Sequence, residues 1–226
     1  MENFMIYEDL EIVEYGTSWN YQQHLFAQAI TAKDKGIPPQ NHLLFCEHPH
    51  TITIGKHGKQ ENLLFQETYL KEKGVSLFQI DRGGDITYHG PGQLVGYPIF
   101  DLDFFGIGLR QYIFNLEEII IRLLADYNIL AERLDGVAGV WLDTTIPSKT
   151  RKIAAIGVRS SRFVTMHGFA LNVNTDLSFF SLINPCGFID KGVTSMEKEL
   201  GYKIDMEEVK GKVKILFEEI FTEKFV

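Results

Sequence analysis

The stretch Arg82-Gly83-Gly84-Asp85-Ile86-Thr87-Tyr88-His89-Gly90-Pro91-Gly92-Gln93 decides how the rest of the chain is read. It is dense in glycine, yet it lacks the Gly-Lys-Ser/Thr ending of a phosphate-binding loop. It is not a dinucleotide fingerprint either, because Leu94 to Phe100 has strand rather than helix character. Gly83 and Gly84 let the backbone approach a ligand closely, and Gly90-Pro91-Gly92 forces a rigid turn after His89. A tight connection between strands needs fewer special residues than this, so a ligand-binding loop and a plain connection both stay open.

Working outward, strands are expected at Met5–Val13, His42–Cys46, Thr51–Ile54, Val75–Ile80, Val140–Leu142, Lys152–Val158 and Met166–Val173. Thr17 or Ser18 is expected to cap a helix ending near Lys35, stopped by Gly36-Ile37-Pro38-Pro39. Phe65–Lys73 reads as a short helix closed by Gly74. In Leu109–Tyr127, the residues Leu109, Ile113, Leu116, Ile120, Leu123 and Tyr127 recur at spacings of four and three and predict one apolar stripe. Asp205 is expected to cap a last helix, with Glu208 completing a capping box and Met206, Val209, Val213, Leu216 and Ile220 buried. Thr144–Thr150 reads as a surface loop. Strands outnumber helices and many are consecutive. The class is therefore α+β, with a mixed, mostly antiparallel sheet flanked by helices.

The 226 residues fit one domain, 1–226, with no linker or internal repeat. A net charge of −8 makes the chain a poor general binder of nucleic acid or anionic membrane. No stretch approaches the roughly 18 apolar residues of a membrane helix, and the N-terminus lacks a basic, then apolar, leader. Two cysteines give no disulfide framework, and a reducing, cytoplasmic setting is the expectation.

Cys186 stands in Asn184-Pro185-Cys186-Gly187. Proline before and glycine after suit a thiol presented on a tight turn; a small buried hydrophobe in a turn is the plainer alternative. Lys152, in Arg151-Lys152-Ile153-Ala154-Ala155-Ile156-Gly157, is expected opposite Ile153 and on the face of Ala154 and Ile156. There it is either a surface lysine or a partner that takes or stabilises a thiol proton. His48, His50 and His57 invite a metal, but no cysteine or carboxylate pattern completes a zinc site and Pro49 interrupts them, so none is expected. Between Asp143 and Asp176 there is no acidic residue, while Lys149, Arg151, Lys152, Arg159 and Arg162 all lie there. That window predicts a docking patch for an acidic partner, against a solvated hairpin as the alternative.

Taken together, residues 82–95, Lys152-Ile-Ala-Ala-Ile-Gly157, His167-Gly168-Phe169-Ala170-Leu171-Asn172-Val173, Asn184–Gly187 and Val193-Thr194-Ser195 resemble the signature of the lipoyl(octanoyl) transferases. Cys46-Glu47-His48-Pro49 and Thr53-Ile54-Gly55 fit as well. The resemblance implies a fold like that of the biotin and lipoate protein ligases. It implies transfer of an octanoyl group from octanoyl-acyl carrier protein to a lysine of lipoyl domains, those of 2-oxo acid dehydrogenase complexes and of glycine cleavage H protein. It implies Cys186 as nucleophile and Lys152 as its proton partner, without cofactor or metal. Arg82, Gly83, Gly84, Asp85, Ile86, Thr87, Tyr88 and His89, then Ala155, Ile156 and Gly157, then Gly168, Phe169 and Ala170, would line the acyl site. An ATP-dependent ligase of the same fold, a non-catalytic carrier-binding module and a thiol hydrolase are the rival readings. The Thr144–Thr150 loop is longer than the resemblance leads one to expect.

Overall fold

A computed structural model describes residues 5–184 and 191–225. In chain order the elements are β1 (Met5–Ile12), α1 (Tyr15–Asp34), β2 (Asn41–Glu47), β3 (Thr51–Ile54), α2 (Glu67–Glu72), β4 (Ser76–Gln79), β5 (Ile86–His89), β6 (Gln93–Ile99) and α3 (Leu109–Asp126). There follow β7 (Glu132–Leu134), β8 (Val137–Leu142), β9 (Arg151–Ser161), β10 (Val164–Asn172), β11 (Gly192–Val193), α4 (Met196–Leu200) and α5 (Met206–Phe221). The main sheet has the order β1-β2-β6-β10-β9-β8-β7, with β11 added beside β9. Only β1–β2 and β11–β9 are parallel in it; the other pairings are antiparallel. A small sheet, β4-β3-β5, stands beside it. The mixed, mostly antiparallel α+β class read from the sequence is the one observed.

Alternation on β2 shows how the layers form. Leu43 and Phe45 join the core beneath α3 and α5, while Leu44 and Cys46 join the one beneath α1 with Leu25, Phe26 and Ala29. The sheet is therefore covered on both faces, and its central strands are apolar on both. A third cluster, with Ile52, Leu70, Ile86 and Tyr88, holds the small sheet.

Three local expectations give way to tertiary contacts. Helix α1 begins at Tyr15, not after Thr17 or Ser18, and Glu14 at its N-cap makes no side-chain cap bond. Tyr15 is buried against Phe78, His48 and His89, and that burial fixes the first turn. Ser18 lies inside the helix, its hydroxyl donating back to the Tyr15 carbonyl at 3.0 Å. Asp205 does cap α5, accepting from Glu207 N at 2.9 Å. The capping box does not form: Glu208 takes the Tyr127 hydroxyl at 2.9 Å and pairs with Lys212 instead. On α3, Leu116, Ile120 and Leu123 are buried as the stripe predicts, joined by Tyr112, Ile119 and Leu124. Leu109 and Ile113, at its start, turn to a cavity described next.

Candidate active site

A cavity of about 450 Å³ lies between the glycine-rich segment and β9–β10, within the size range of small-molecule sites, about 300–1,000 Å³. Arg82, Gly83, Gly84, Asp85, Ile86, Thr87 and His89 line it from the segment, Lys152, Ala155, Ile156 and Gly157 from β9, and Gly168, Phe169 and Ala170 from β10. Of the sequence-named positions among the described residues, all but Tyr88 thus converge on one space. Strand alternation on β5 sends Thr87 and His89 to the cavity and Tyr88 to the other face. There its hydroxyl sits 2.7 Å from His50 Nδ1 and its ring stacks on Phe179.

The segment is stitched in from both sides. Gly55, Lys56 and His57 donate backbone N–H groups to the carbonyls of Asp85, Arg82 and Gly84, and Gly83 N–H donates to Val158 O at 2.9 Å. Arg82 is buried; its guanidinium donates to Thr53 O and Thr53 Oγ1, both at 2.9 Å, and to Gly83 O at 3.0 Å. The approach of β9 requires glycine at 157, where an added Cβ would lie 2.9 Å from Gly83 O and 3.0 Å from Arg82 Cδ. Gly96 is required for the same reason on the floor, where the Phe169 ring occupies the place of its missing side chain.

The histidines around the site are held neutral. Burial, with the nearby His48 adding to it, pushes His89 down to about 3, and its Nδ1 lies 2.8 Å from Gln93 Oε1. Burial pushes His48 down to about 4; it is wedged between Val13 O and the Tyr97 hydroxyl, each at 2.7 Å. His167 is also lowered by burial, with Nε2 3.0 Å from Asp81 Oδ1. His48 and His89 therefore do not titrate where a general base is needed near neutral pH. His48 and His50 do not converge: His50 stacks on Phe179 with ring centroids 4.0 Å apart. Among the described residues, no group of three or more His, Cys, Asp or Glu is arranged to hold a metal ion.

Lys152 enters the cavity by a route that alternation does not predict. Val140 pairs with Ala154 but Trp141 pairs with Lys152, so Ile153 is an extra residue on β9. The bulge leaves both Ile153 and Ala154 in the core beneath α3 and gives Lys152 and Ala155 to the cavity. The expected shared face of Lys152 and Ala154 is therefore corrected. Lys152 Nζ lies 4.5 Å from the centre of the Trp141 ring, whose face attracts an ammonium. Strand β11 runs parallel to it, Val193 opposite Lys152, and Thr194 N–H donates to Lys152 O at 2.9 Å.

Cys186, and with it the Pro185-Cys186-Gly187 turn, lies outside the described residues. Its flanks are fixed. On one side Asn184 N–H donates to Asn62 O at 2.8 Å and Ile183 bridges Leu63; on the other Gly192 pairs with Arg151. The other cysteine, Cys46, is fully buried under α1 and its thiol is raised far above the usual range by burial.

Three of the five cations in the basic window are ion-paired. Arg151 makes two bonds of 2.7 Å to Glu199 and also pairs with Asp143; Arg159 pairs with Asp81 and Arg162 with Asp34. The acidic partners come from outside the window, so the charge of these three arginines is compensated on folding. Reading the sequence also passed over residues that complete the site. Gln93 and Asn172 stood inside the quoted motifs and could have been named. Tyr15, Leu109, Ile113 and the Gly136–Ala138 hairpin carry no local signal and are brought in by the fold.

The lipoyl protein ligase A/B catalytic domain model matches residues 14–218. An octanoyltransferase of Parabacteroides distasonis is 57% identical over 98% of this chain and 100% of its own length. One of Bacteroides fragilis is 55% identical over 91% of this chain and 92% of its own. Among solved structures, the bipartite lipoate protein ligase of Thermoplasma acidophilum superposes with a TM-score of 0.70 at 17% identity, covering 100% of this chain and 88% of that one. A biotin protein ligase of Aquifex aeolicus gives 0.51 at 15% identity over 98% and 70%. These structures share the fold with this chain. On the match over residues 14–218 and the identity to its relatives, the chain belongs to the lipoyl protein ligase A/B catalytic domain family.

Proposed function

We propose that the enzyme moves an octanoyl group from octanoyl-acyl carrier protein to a lysine of a lipoyl domain, through a thioester on Cys186 with Lys152 as proton partner. The observation that carries this is Lys152. It stands at an otherwise largely apolar cavity, bound by its backbone to the strand that follows Cys186 in the chain. Elimination adds support: of two cysteines, Cys46 is sealed and disfavoured as a thiolate.

Two exchanges complete the reaction. The Cys186 thiolate attacks the carrier thioester, a new C–S bond forms, and the carrier sulfur leaves with the proton that Lys152 took from the thiol. The acceptor lysine then attacks as a neutral amine. The amide forms, and the proton it sheds returns to the Cys186 sulfur by way of Lys152. Neither exchange requires ATP. The acyl tail lies against Ile86, Ala155, Ile156, Phe169 and Ala170. Burying its seven alkyl carbons is worth about 6 kcal/mol, at about 0.8 kcal/mol per methylene. Acceptors are lipoyl domains of 2-oxo acid dehydrogenases and glycine cleavage H protein, in the cytoplasm. Among the described residues no helix is long and apolar enough to cross a membrane.

The test is intact-mass measurement after incubation with octanoyl carrier protein. One octanoyl mass, removed by hydroxylamine and mapped to Cys186, is expected. An adduct on Cys46, no adduct, or octanoate-dependent exchange of ATP with pyrophosphate overturns the reading, the last in favour of a ligase.

A further inference from the structure

We propose that Thr194 is a positioning residue that fixes Lys152 at the cavity, and that the buried chain His89–Gln93–Asn172 holds Thr194 in place. The inference rests on the lysine–thiol reading above and adds to it a set of residues that touch neither substrate nor reacting atom.

Thr194 is fully buried and each of its polar groups is engaged. Its N–H donates to Lys152 O at 2.9 Å, its carbonyl accepts from Asn172 Nδ2 at 3.0 Å, and its hydroxyl donates to the Glu199 carboxylate. The same carboxylate grips Arg151, the residue before Lys152, through two bonds of 2.7 Å. One threonine therefore holds the backbone of Lys152 directly and its neighbour through Glu199. Such a clamp is needed because β11 and β9 pair over only two residues of β11, and parallel pairing is the weaker kind. Helix α4, capped by Ser195 next in the chain, carries Glu199 to this point.

The clamp reaches back to the glycine-rich segment. Asn172 Oδ1 accepts from Gln93 Nε2 at 2.9 Å, and Gln93 Oε1 lies 2.8 Å from His89 Nδ1. Gln93 also donates to Tyr88 O at 3.1 Å, so its amide orientation is fixed. The wall that shapes the acyl slot and the strand that bears the lysine are thus joined by buried hydrogen bonds. This gives the neutral His89 a role as the anchor of a chain rather than as a base.

The experiment compares Thr194→Val, which keeps the shape and removes the hydroxyl, with Thr194→Ser, which restores it. Two readouts are taken. One is the single-turnover rate of Cys186 octanoylation, the other the pH dependence of Cys186 alkylation by iodoacetamide, with Cys46 buried and silent. Thr194→Val is expected to slow acylation about 10-fold or more, since misplacement by about 1 Å costs up to about 10². KM for the thioester stays within about two-fold, and the alkylation midpoint moves to higher pH as the cation loses its placement. Thr194→Ser restores both. Where Thr194→Val does not fold, Glu199→Gln is measured instead, with the same split expected. Wild-type rate and midpoint in the hydroxyl-less variant, or equal loss in Val and Ser variants of normal melting temperature, overturns the inference. A wild-type enzyme that forms no Cys186 adduct overturns the parent reading; one that acylates normally while Thr194→Val does the same overturns only this one.

Discussion

Gly157→Ala tests whether the close approach of β9 to the glycine-rich segment shapes the acyl slot. An alanine Cβ would stand 2.9 Å from Gly83 O and 3.0 Å from Arg82 Cδ. Favourable contact begins at about 3.5 Å, so the wall must yield by roughly half an ångström. The neighbour is backbone, itself bonded to Val158 O, and cannot swing aside. Overpacking of this kind costs about 1–3 kcal/mol. For a chain of this size each kcal/mol lowers the melting temperature by about 2–4 °C, giving a loss of about 2–12 °C. A displacement near half an ångström, scaled from about 10² per ångström, lowers kcat/KM for an octanoyl thioester about 10-fold. A butanoyl thioester, which occupies less of the slot, loses less. The assay is steady-state transfer with both thioesters beside a thermal melt. Wild-type melting and rates in Gly157→Ala would refute the reasoning, because the wall would then not depend on that approach.

Lys152→Ala is expected to keep a cooperative melt and lose turnover by about 10² or more, and Lys152→Arg to fail too, since guanidinium does not release its proton; near-normal rates in Lys152→Arg would reduce Lys152 to charge stabilisation. His48 and His89, lowered by burial from the ordinary 6.5 to about 4 and about 3, stay neutral when folded but take up protons when unfolded. Their contribution is therefore fully present above about pH 6.5 and is lost as pH falls toward 4, by about 3 kcal/mol for His48 alone; urea unfolding midpoints that stay level from pH 7 to 4 would contradict this. Arg159→Glu with Arg162→Glu sets carboxylates against Asp81 and Asp34. The expected result is a lower melting temperature and equal loss with carrier-borne and small thioesters; a salt-sensitive loss confined to the carrier would restore the docking patch.

Most elements were legible because their signals are local. The stripe of Leu116, Ile120 and Leu123 and the alternation of β2 need no knowledge of the partner surface. The cavity lining was legible as motif, down to Gly157 and Phe169. What was not legible depends on residues far away in sequence. The start of α1 is set by the burial of Tyr15, not by a cap. The bulge at Ile153 arises from pairing with β8 and redirects Lys152. Tyr88 departs because the small sheet and Phe179 receive its ring. Arg159 and Arg162 lose their apparent patch to Asp81 and Asp34, which no window of sequence could have supplied.

The sealing of Cys46 under α1 bears on oxidative damage. Oxidation of a nucleophilic thiol to the sulfenic acid is commonly reversed by condensation with a second thiol of the same chain. Here the second thiol is shut inside the core, so the chain has no resolving cysteine of its own. Under the proposed mechanism, an oxidised Cys186 has to be rescued by a small thiol or a reductase from outside, or pass on to the irreversible sulfinic state. The same arrangement disfavours an internal disulfide that would lock the proposed nucleophile away.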